Sequence, residues 1–145
     1  MAVTTFAAID IGSYEVSMKI FEMSKRIGFR EIDEVRYQLE LGRGTYAAGR
    51  LEMETVDELC EILNDFKRMM AEFGVESWRA CATSSLRELE NPVIILEQIY
   101  QRTGIRVEIL SNAEQHFLGY KSIAAIESGF KKAIQKGTAI LDIGG

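Results

Sequence analysis

The chain has 145 residues, about the length of one domain, and 47% of them are hydrophobic, which is enough for a core without disulfides or metal. One proline, twelve glycines and 27% charged residues argue against disordered, collagen-like and coiled-coil classes. The net charge of −5 argues against a broad basic surface for nucleic acid. A local anion site built from backbone N–H groups is compatible with that charge.

The sequence carries no signal for export or for a membrane span. We see no basic-then-apolar leader, and no run approaches the ~18 apolar residues that a spanning helix needs. Cys60 and Cys81 form neither a metal-binding nor a disulfide pattern. We therefore expect a cytoplasmic protein that binds neither nucleic acid nor a membrane.

Three segments with the pattern of β-strands open the chain: Thr4–Asp10, Tyr14–Glu22 and Phe29–Leu39. The first ends at a glycine–serine turn, so we expect the first two strands to form a hairpin. Gly42, Gly44 and Gly49 then indicate an irregular connection.

Helices alternate with strands in the rest of the chain. Apolar residues at helical spacing predict a helix over Met53–Phe73, ended by Gly74. The later predicted elements are a strand at Ser77–Ala82, a helix at Pro92–Thr103 capped by Asn91, a strand at Arg106–Leu110, a helix at 111–128 and a last strand at Thr138–Asp142. This order predicts an α/β fold with a mixed sheet covered by helices.

Two of the strands end in an aspartate followed by an isoleucine–glycine turn. The residues of these turns are Asp10, Gly12 and Ser13 near the start, and Asp142, Gly144 and Gly145 near the end. An aspartate in this position can hold Mg²⁺ through water, and the glycines let backbone N–H groups approach an anion. Two such turns facing each other would clamp a phosphate chain and its metal. The alternative is that each aspartate only organises its turn.

Four short motifs follow one another along the chain: Ala8–Glu15, Ala82–Arg87, Glu108–His116 and Asp142–Gly145. Together they make the chain resemble the exopolyphosphatase/guanosine pentaphosphate phosphatase (Ppx/GppA) family, within the actin and sugar kinase superfold. They are similar to the family patterns A-x-D-x-G-S-N-S, A-T-S-A-x-R, E-x-I-S-G-x-E-E-A and D-I-G-G-G-S. The resemblance implies a ribonuclease H-like, mixed five-stranded sheet with helices on its faces, the actin-like ATPase domain type.

The resemblance also implies a role for each matching residue. The implied phosphate contacts are Gly12, Ser13, Thr83, Ser84, Arg87, Gly144 and Gly145, and the implied Mg²⁺ ligands are Asp10 and Asp142. Arginine suits bidentate phosphate contact, and hydroxyls add neutral donors. The alternative for Arg87 is a surface ion pair with Glu88 or Glu90.

The chain departs from the family pattern in two motifs. The position of the family's general base is Gln115, and an amide cannot accept a proton. Glu114 is the nearest carboxylate, but adjacent residues on a helix point about 100° apart, so its side chain does not take the place of Gln115. Ser111 and Glu114 also fit a capping box, which is a structural explanation for the glutamate. Tyr14 replaces the family's asparagine and Glu15 adds negative charge, so both disfavour a standard polyanion site.

The resemblance implies an N-terminal fragment: an actin-like α/β domain over 1–128, a linker over 129–137 and the first strand of a second domain over 138–145. The implied activity is Mg²⁺-dependent release of terminal phosphate from polyphosphate or guanosine pentaphosphate, by a protein that is a homodimer at full length. We expect Gln115 to impair that activity and this chain alone to lack it. Two alternatives stay open, a non-catalytic regulatory protein that binds phosphate or alarmone, and an ATP-using relative.

Overall fold

The computed structural model of the chain describes residues 3–26, 28–135 and 137–141. The elements are β1 (Thr4–Ile11), β2 (Glu15–Ser24), β3 (Gly28–Gln38), α1 (Leu41–Ala48), α2 (Met53–Glu72), β4 (Ser77–Ala82), α3 (Ser84–Arg87), α4 (Pro92–Thr103), β5 (Val107–Ile109), α5 (Asn112–Ile126) and α6 (Phe130–Gln135). The described residues up to Ile109 form one compact unit, and those from Leu110 onward form a second. The segment predicted as a linker, 129–137, contains helix α6.

The first unit is built on one sheet with the strand order β3-β2-β1-β4-β5. The first three strands are antiparallel, as expected for a hairpin that continues into a third strand, and β1-β4 and β4-β5 are parallel. This confirms the predicted mixed five-stranded sheet of an α/β, ribonuclease H-like fold. Because β1 and β4 are parallel neighbours, the turns that follow them lie at the same edge of the sheet.

The core lies against one face of the sheet, where alternate residues of the central strands are buried. From β1 and β2 these residues are Ala7, Ile9, Ile11, Val16, Met18 and Ile20. Helix α2 contributes the apolar stripe that the sequence predicted, including the fully buried Phe66, whose ring lies 5.7 Å from that of Tyr37. The period-two and period-3.6 patterns therefore meet in one core.

Helices α2 and α4 are each followed by a glycine in the left-handed conformation, and Gly74 was predicted to end the first of them. Gly74 follows α2 with a φ of +61°, and Gly104 follows α4 with a φ of +72° and donates its N–H to Tyr100. At the start of α4, Pro92 occupies the first turn as predicted, but the Asn91 side chain makes no capping hydrogen bond. The fixed φ of proline suits the first turn of a helix without a side-chain cap.

The irregular connection predicted over Gly42, Gly44 and Gly49 was wrong, because helix α1 occupies Leu41–Ala48. Only Gly49 lies at the end of a helix, in the left-handed conformation, with its N–H donated to the Thr45 carbonyl at 2.7 Å. Glycine weakens a helix by about 1 kcal/mol. Here tertiary contacts override that cost, since α1 packs closely on the turn after β1.

The second unit contains α5 and α6. The rings of Tyr120 on α5 and Phe130 on α6 meet edge to face at 5.1 Å. The strand predicted over Thr138–Asp142 is absent from its described part, residues 138–141; Thr138 donates its hydroxyl to the Ala133 carbonyl, and Asp142 lies outside the described residues. A strand needs a neighbour to accept its ladder hydrogen bonds. Within the described ranges, no helix is long and apolar enough to cross a membrane.

Candidate functional site

The turn between β1 and β2 forms the first part of the candidate site. The Gly12 N–H donates to the Glu15 carbonyl at 3.0 Å and closes the turn. A Cβ on Gly12 would also lie 3.0 Å from that carbonyl oxygen, so the turn has little room for a side chain at this position. Ser13 follows with its hydroxyl at the edge of the sheet.

The segment after β4 joins this turn, as the parallel pairing of β1 and β4 requires. Thr83 lies directly before helix α3, and Ser84 and Ser85 are its first two residues. The Ser84 Oγ lies 3.2 Å from the Ser13 Oγ, and Ser85 donates its hydroxyl to the Gly12 carbonyl at 3.2 Å. Two motifs more than 70 residues apart in the chain therefore meet.

Helix α1 supplies a third part that the sequence did not predict. The Gly42 N–H donates to the Ser13 carbonyl at 2.8 Å, and the buried Thr45 donates its hydroxyl to the Ser85 carbonyl at 2.7 Å. The Tyr46 hydroxyl lies 2.8 Å from the Ser13 Oγ and donates to the Ser84 Oγ at 2.6 Å. The glycines of this helix were the one signal available, and they indicated the wrong element.

Asp10 lies on β1, two residues before Gly12, with an exposed side chain. The surrounding sheet withdraws part of the carboxylate from water, which raises its pKa, and the negative charge of Glu15 raises the pKa further. A carboxylate in this environment is stabilised by a cation. Mg²⁺ commonly uses only one or two protein carboxylates and completes its shell with water and substrate phosphate, so Asp10 fits the metal that the resemblance implies.

The described side chains form no larger cluster of groups that bind metal. Within residues 3–26, 28–135 and 137–141, no group of three or more histidine, cysteine, aspartate or glutamate side chains is placed to hold a metal ion. The second predicted ligand, Asp142, and the predicted phosphate contacts Gly144 and Gly145 lie outside the described residues.

Arg87, predicted as a phosphate contact, lies at the end of α3. Its Nε is 3.4 Å from the Glu88 carboxylate, so the alternative reading of a local ion pair is found in the structure. Only 21% of the Arg87 side chain is exposed. The backbone N–H of Arg87 donates to the Thr83 carbonyl at 3.1 Å, which ties the end of α3 to the segment after β4.

Tyr14 and Glu15, the two departures in the first motif, are held by partners on β3. The Tyr14 hydroxyl accepts a hydrogen bond from the Gln38 side-chain amide. Glu15 lies 3.3 Å from Arg36, which offsets part of its negative charge. Both contacts hold these side chains toward the antiparallel side of the sheet.

Glu114 and Gln115 belong to the second unit, at the start of α5. The Ser111 Oγ accepts the Glu114 N–H at 3.2 Å, and the Glu114 carboxylate accepts the Ser111 N–H at 2.9 Å. The predicted capping box is confirmed. The carboxylate of Glu114 is thereby engaged in the helix start, and Gln115 carries an amide at the position of the family's base.

The described part of the site is chemically a set of neutral donors. Three hydroxyls, those of Ser13, Ser84 and Tyr46, converge where the turn after β1 meets the segment after β4. Hydroxyls donate to an anion without requiring a counter-charge. This set of donors suits a phosphate group.

Comparison with known proteins gives one consistent family. A model of the Ppx/GppA phosphatase family matches residues 20–145. Exopolyphosphatase 1 of Mycobacterium leprae is 21% identical over 115 residues, which cover 79% of this chain and 34% of that protein. The guanosine-5'-triphosphate,3'-diphosphate pyrophosphatase of Vibrio parahaemolyticus is 24% identical over 140 residues, 97% of this chain and 27% of that protein.

The fold agrees with this family as well. A crystal structure of the Aquifex aeolicus Ppx/GppA family member matches with a TM-score of 0.79 and 29% identity, over 85% of this chain and 40% of that one. This chain spans less than half the length of each of these relatives. Because the family model extends over most of the sequence, the chain belongs to the Ppx/GppA phosphatase family.

Proposed function

We propose that the protein containing this chain hydrolyses the terminal phosphoanhydride of inorganic polyphosphate or guanosine pentaphosphate. The observation that carries the proposal is the convergence of the Ser13, Ser84 and Tyr46 hydroxyls at the turn after β1. Two motifs typical of the family meet there, and one relative is an exopolyphosphatase and another a pyrophosphatase of a guanosine polyphosphate. The homodimeric state and the cytoplasmic location stay predictions.

Mg²⁺ belongs to the proposal as the cofactor. Asp10 would hold the ion from this chain, with Asp142 as the second ligand that the family motif implies. A bound Mg²⁺ offsets the negative charge of the phosphate that is attacked. The Ser13 and Ser84 hydroxyls hold the terminal phosphate by donating to its oxygens.

Gln115 lowers the rate of phosphate hydrolysis that we expect. An amide orients water but does not take its proton, and the loss of general-base assistance commonly costs ~10²–10⁴ in rate. Glu114 does not replace it, because its carboxylate caps α5. We therefore expect slow hydrolysis by the native sequence.

Phosphate release by the natural protein that contains this chain tests the proposal, with Mg²⁺ and with polyphosphate or guanosine pentaphosphate as substrate. We expect Gln115→Glu to raise turnover by about 10²-fold or more, since it restores a base. Gln101→Glu, the same change on the exposed side of α4, is the matched control and leaves turnover unchanged. Fast native turnover that Gln115→Glu does not alter would show that another group is the base.

The second candidate is a regulatory protein that binds polyphosphate or alarmone without turnover, and Gln115 is the observation that favours it. Such a protein would bind both ligands in a titration and would release no phosphate in the assay described above. Restored release in Gln115→Glu would identify a phosphatase site that has lost its base. Absence of both binding and release in the native protein would reject both candidates.

A further inference from the structure

Tyr46 stands out because its ring lies on the surface while its hydroxyl is fully engaged. The residue is 58% exposed. Its hydroxyl donates to the Ser84 Oγ at 2.6 Å and contacts the Ser13 Oγ at 2.8 Å, while Ser13 and Ser84 are 3.2 Å apart. With one proton on each oxygen, all three contacts are satisfied when Tyr46 donates to Ser84, Ser84 to Ser13 and Ser13 to Tyr46.

This ring of hydroxyls is not needed to hold α1 in place. The helix is already attached through the Gly42 N–H to the Ser13 carbonyl at 2.8 Å and through the Thr45 hydroxyl to the Ser85 carbonyl at 2.7 Å. Leu41 and Thr45 are buried beneath it. The tyrosine hydroxyl is therefore not the only attachment of α1, so a ligand could take over its hydrogen bonds while the helix stays docked.

The three oxygens form a triangle in which each hydroxyl can rotate its proton outward. All three protons can then point to one acceptor above the triangle. A tyrosine hydroxyl is more acidic than a serine hydroxyl and is therefore the stronger donor of the three. Bonds to a charged acceptor are about twice as strong as bonds between neutral groups, so an anion competes well with the closed ring.

We propose that the Tyr46 hydroxyl binds phosphate as the third donor of a subsite formed with Ser13 and Ser84, each donating to one oxygen of a terminal phosphate. The inference rests on the proposed function, whose motifs account for Ser13 and Ser84 but not for Tyr46. It makes Tyr46 a substrate-contacting residue contributed by α1.

Titration of the natural protein that contains this chain with inorganic phosphate and with tripolyphosphate, in the presence of Mg²⁺, tests the proposal. Tyr46→Phe keeps the ring and removes one donor to a charged acceptor, so we expect binding to weaken about tenfold. Tyr100→Phe is the matched control, because the Tyr100 ring stacks against Arg106 on a different part of the fold, and we expect it to bind as the native protein does.

A second readout on the native protein keeps the test independent of how the variant folds. Tyrosine labelled with ¹³C at Cζ gives one resonance for each of the five tyrosines, and the Tyr46 signal is the one missing from Tyr46→Phe. We expect phosphate to shift the Tyr46 resonance with the same saturation curve as binding, and to leave the Tyr100 resonance in place.

The outcomes separate the inference from the proposed function. Native binding that Tyr46→Phe leaves unchanged, or a Tyr46 resonance that phosphate does not move, overturns the inference alone. A native protein that binds neither phosphate probe overturns the inference and the proposed function together. Weakened binding by Tyr46→Phe with a saturable Tyr46 shift supports the inference, and a merely structural tyrosine would not give that shift.

Discussion

Gly42 is the position where the contact between α1 and the β1-β2 turn can be tested most directly. A Cβ added there would lie 2.8 Å from Cε2 of Tyr46 and 3.0 Å from Cβ of Ser13. The Tyr46 ring is exposed and can move away, but Ser13 sits in a closed turn. Gly42→Ala should therefore push Tyr46 out of reach of the Ser13 and Ser84 hydroxyls.

Two opposing effects decide the sign of the change in stability. Replacing a helical glycine by alanine gains up to about 1 kcal/mol. Losing the two hydrogen bonds of the Tyr46 hydroxyl costs about 0.5–1.5 kcal/mol each. The losses exceed the gain, so we expect Gly42→Ala to destabilise α1 by about 1 kcal/mol.

Gly119→Ala provides a control of opposite sign. Gly119 lies inside α5, and a Cβ there would meet nothing within 4 Å. We expect this substitution to stabilise its helix by about 0.5–1 kcal/mol. Because the chain has two compact units, amide hydrogen exchange in each helix measures the effect better than one global transition. Slower exchange of the α1 amides in Gly42→Ala would refute the reasoning.

Two further predictions concern Asp10 and the start of α5. Partial desolvation of its carboxylate and the charge of Glu15 raise the pKa of Asp10 above its ordinary value of 3.8. The folded state therefore binds that proton more tightly, and stability rises as pH falls from neutral through the raised pKa. In thermal unfolding without Mg²⁺, Asp10→Asn should therefore be more stable than the native protein at pH 7. It should also lose the rise in stability that the native protein shows as pH falls. Lower stability of the variant at pH 7 would contradict desolvation as the cause of the raised pKa. Ser111→Ala should cost about 1 kcal/mol of helix stability, seen as faster amide exchange in the first turn of α5. Glu114→Gln should leave that exchange nearly unchanged, because glutamine also completes a capping box; fraying as large as in Ser111→Ala would argue against the box.

The sequence predicted the elements whose pattern is local. Strands β1 and β4 and helix α2 follow directly from period-two or period-3.6 hydrophobicity, and the S-x-x-E spacing at Ser111 predicted the start of α5. Helix α1 was missed because Gly42 and Gly44 argue locally against a helix. Its stability comes instead from contact with the turn around Ser13, which is distant in the sequence. The strand at Thr138–Asp142 was predicted from its apolar run and from the aspartate–isoleucine–glycine turn that follows. A strand also requires a neighbour, and residues 138–141 have none in the described structure.

In the candidate site too, the residues that belong to local motifs were predicted and the one that depends on a long-range contact was not. Ser13 and Ser84 were predicted because each belongs to a motif, and the parallel pairing of β1 with β4 brings them together. Tyr46 was not predicted, because its hydroxyl reaches Ser13 across 33 residues of chain and no spacing rule connects them. Contacts of this kind depend on how closely two backbones approach, and at this site that approach depends on the missing Cβ of Gly42.

The proposed binding of a polyanion has to overcome the acidity of the chain. With a net charge of −5, the long-range field of the chain does not attract phosphate, and Glu15 adds negative charge next to the turn. Arg36 lies beside Glu15 and offsets part of that charge, and the three hydroxyls add donors that carry no charge of their own. In the proposed site, affinity comes from short contacts and from the proposed Mg²⁺ on Asp10, a carboxylate whose pKa is raised by desolvation and by the charge of Glu15. In the proposed site, binding therefore depends on geometry, because the Ser13, Ser84 and Tyr46 hydroxyls can act together only while α1 stays docked on the turn after β1.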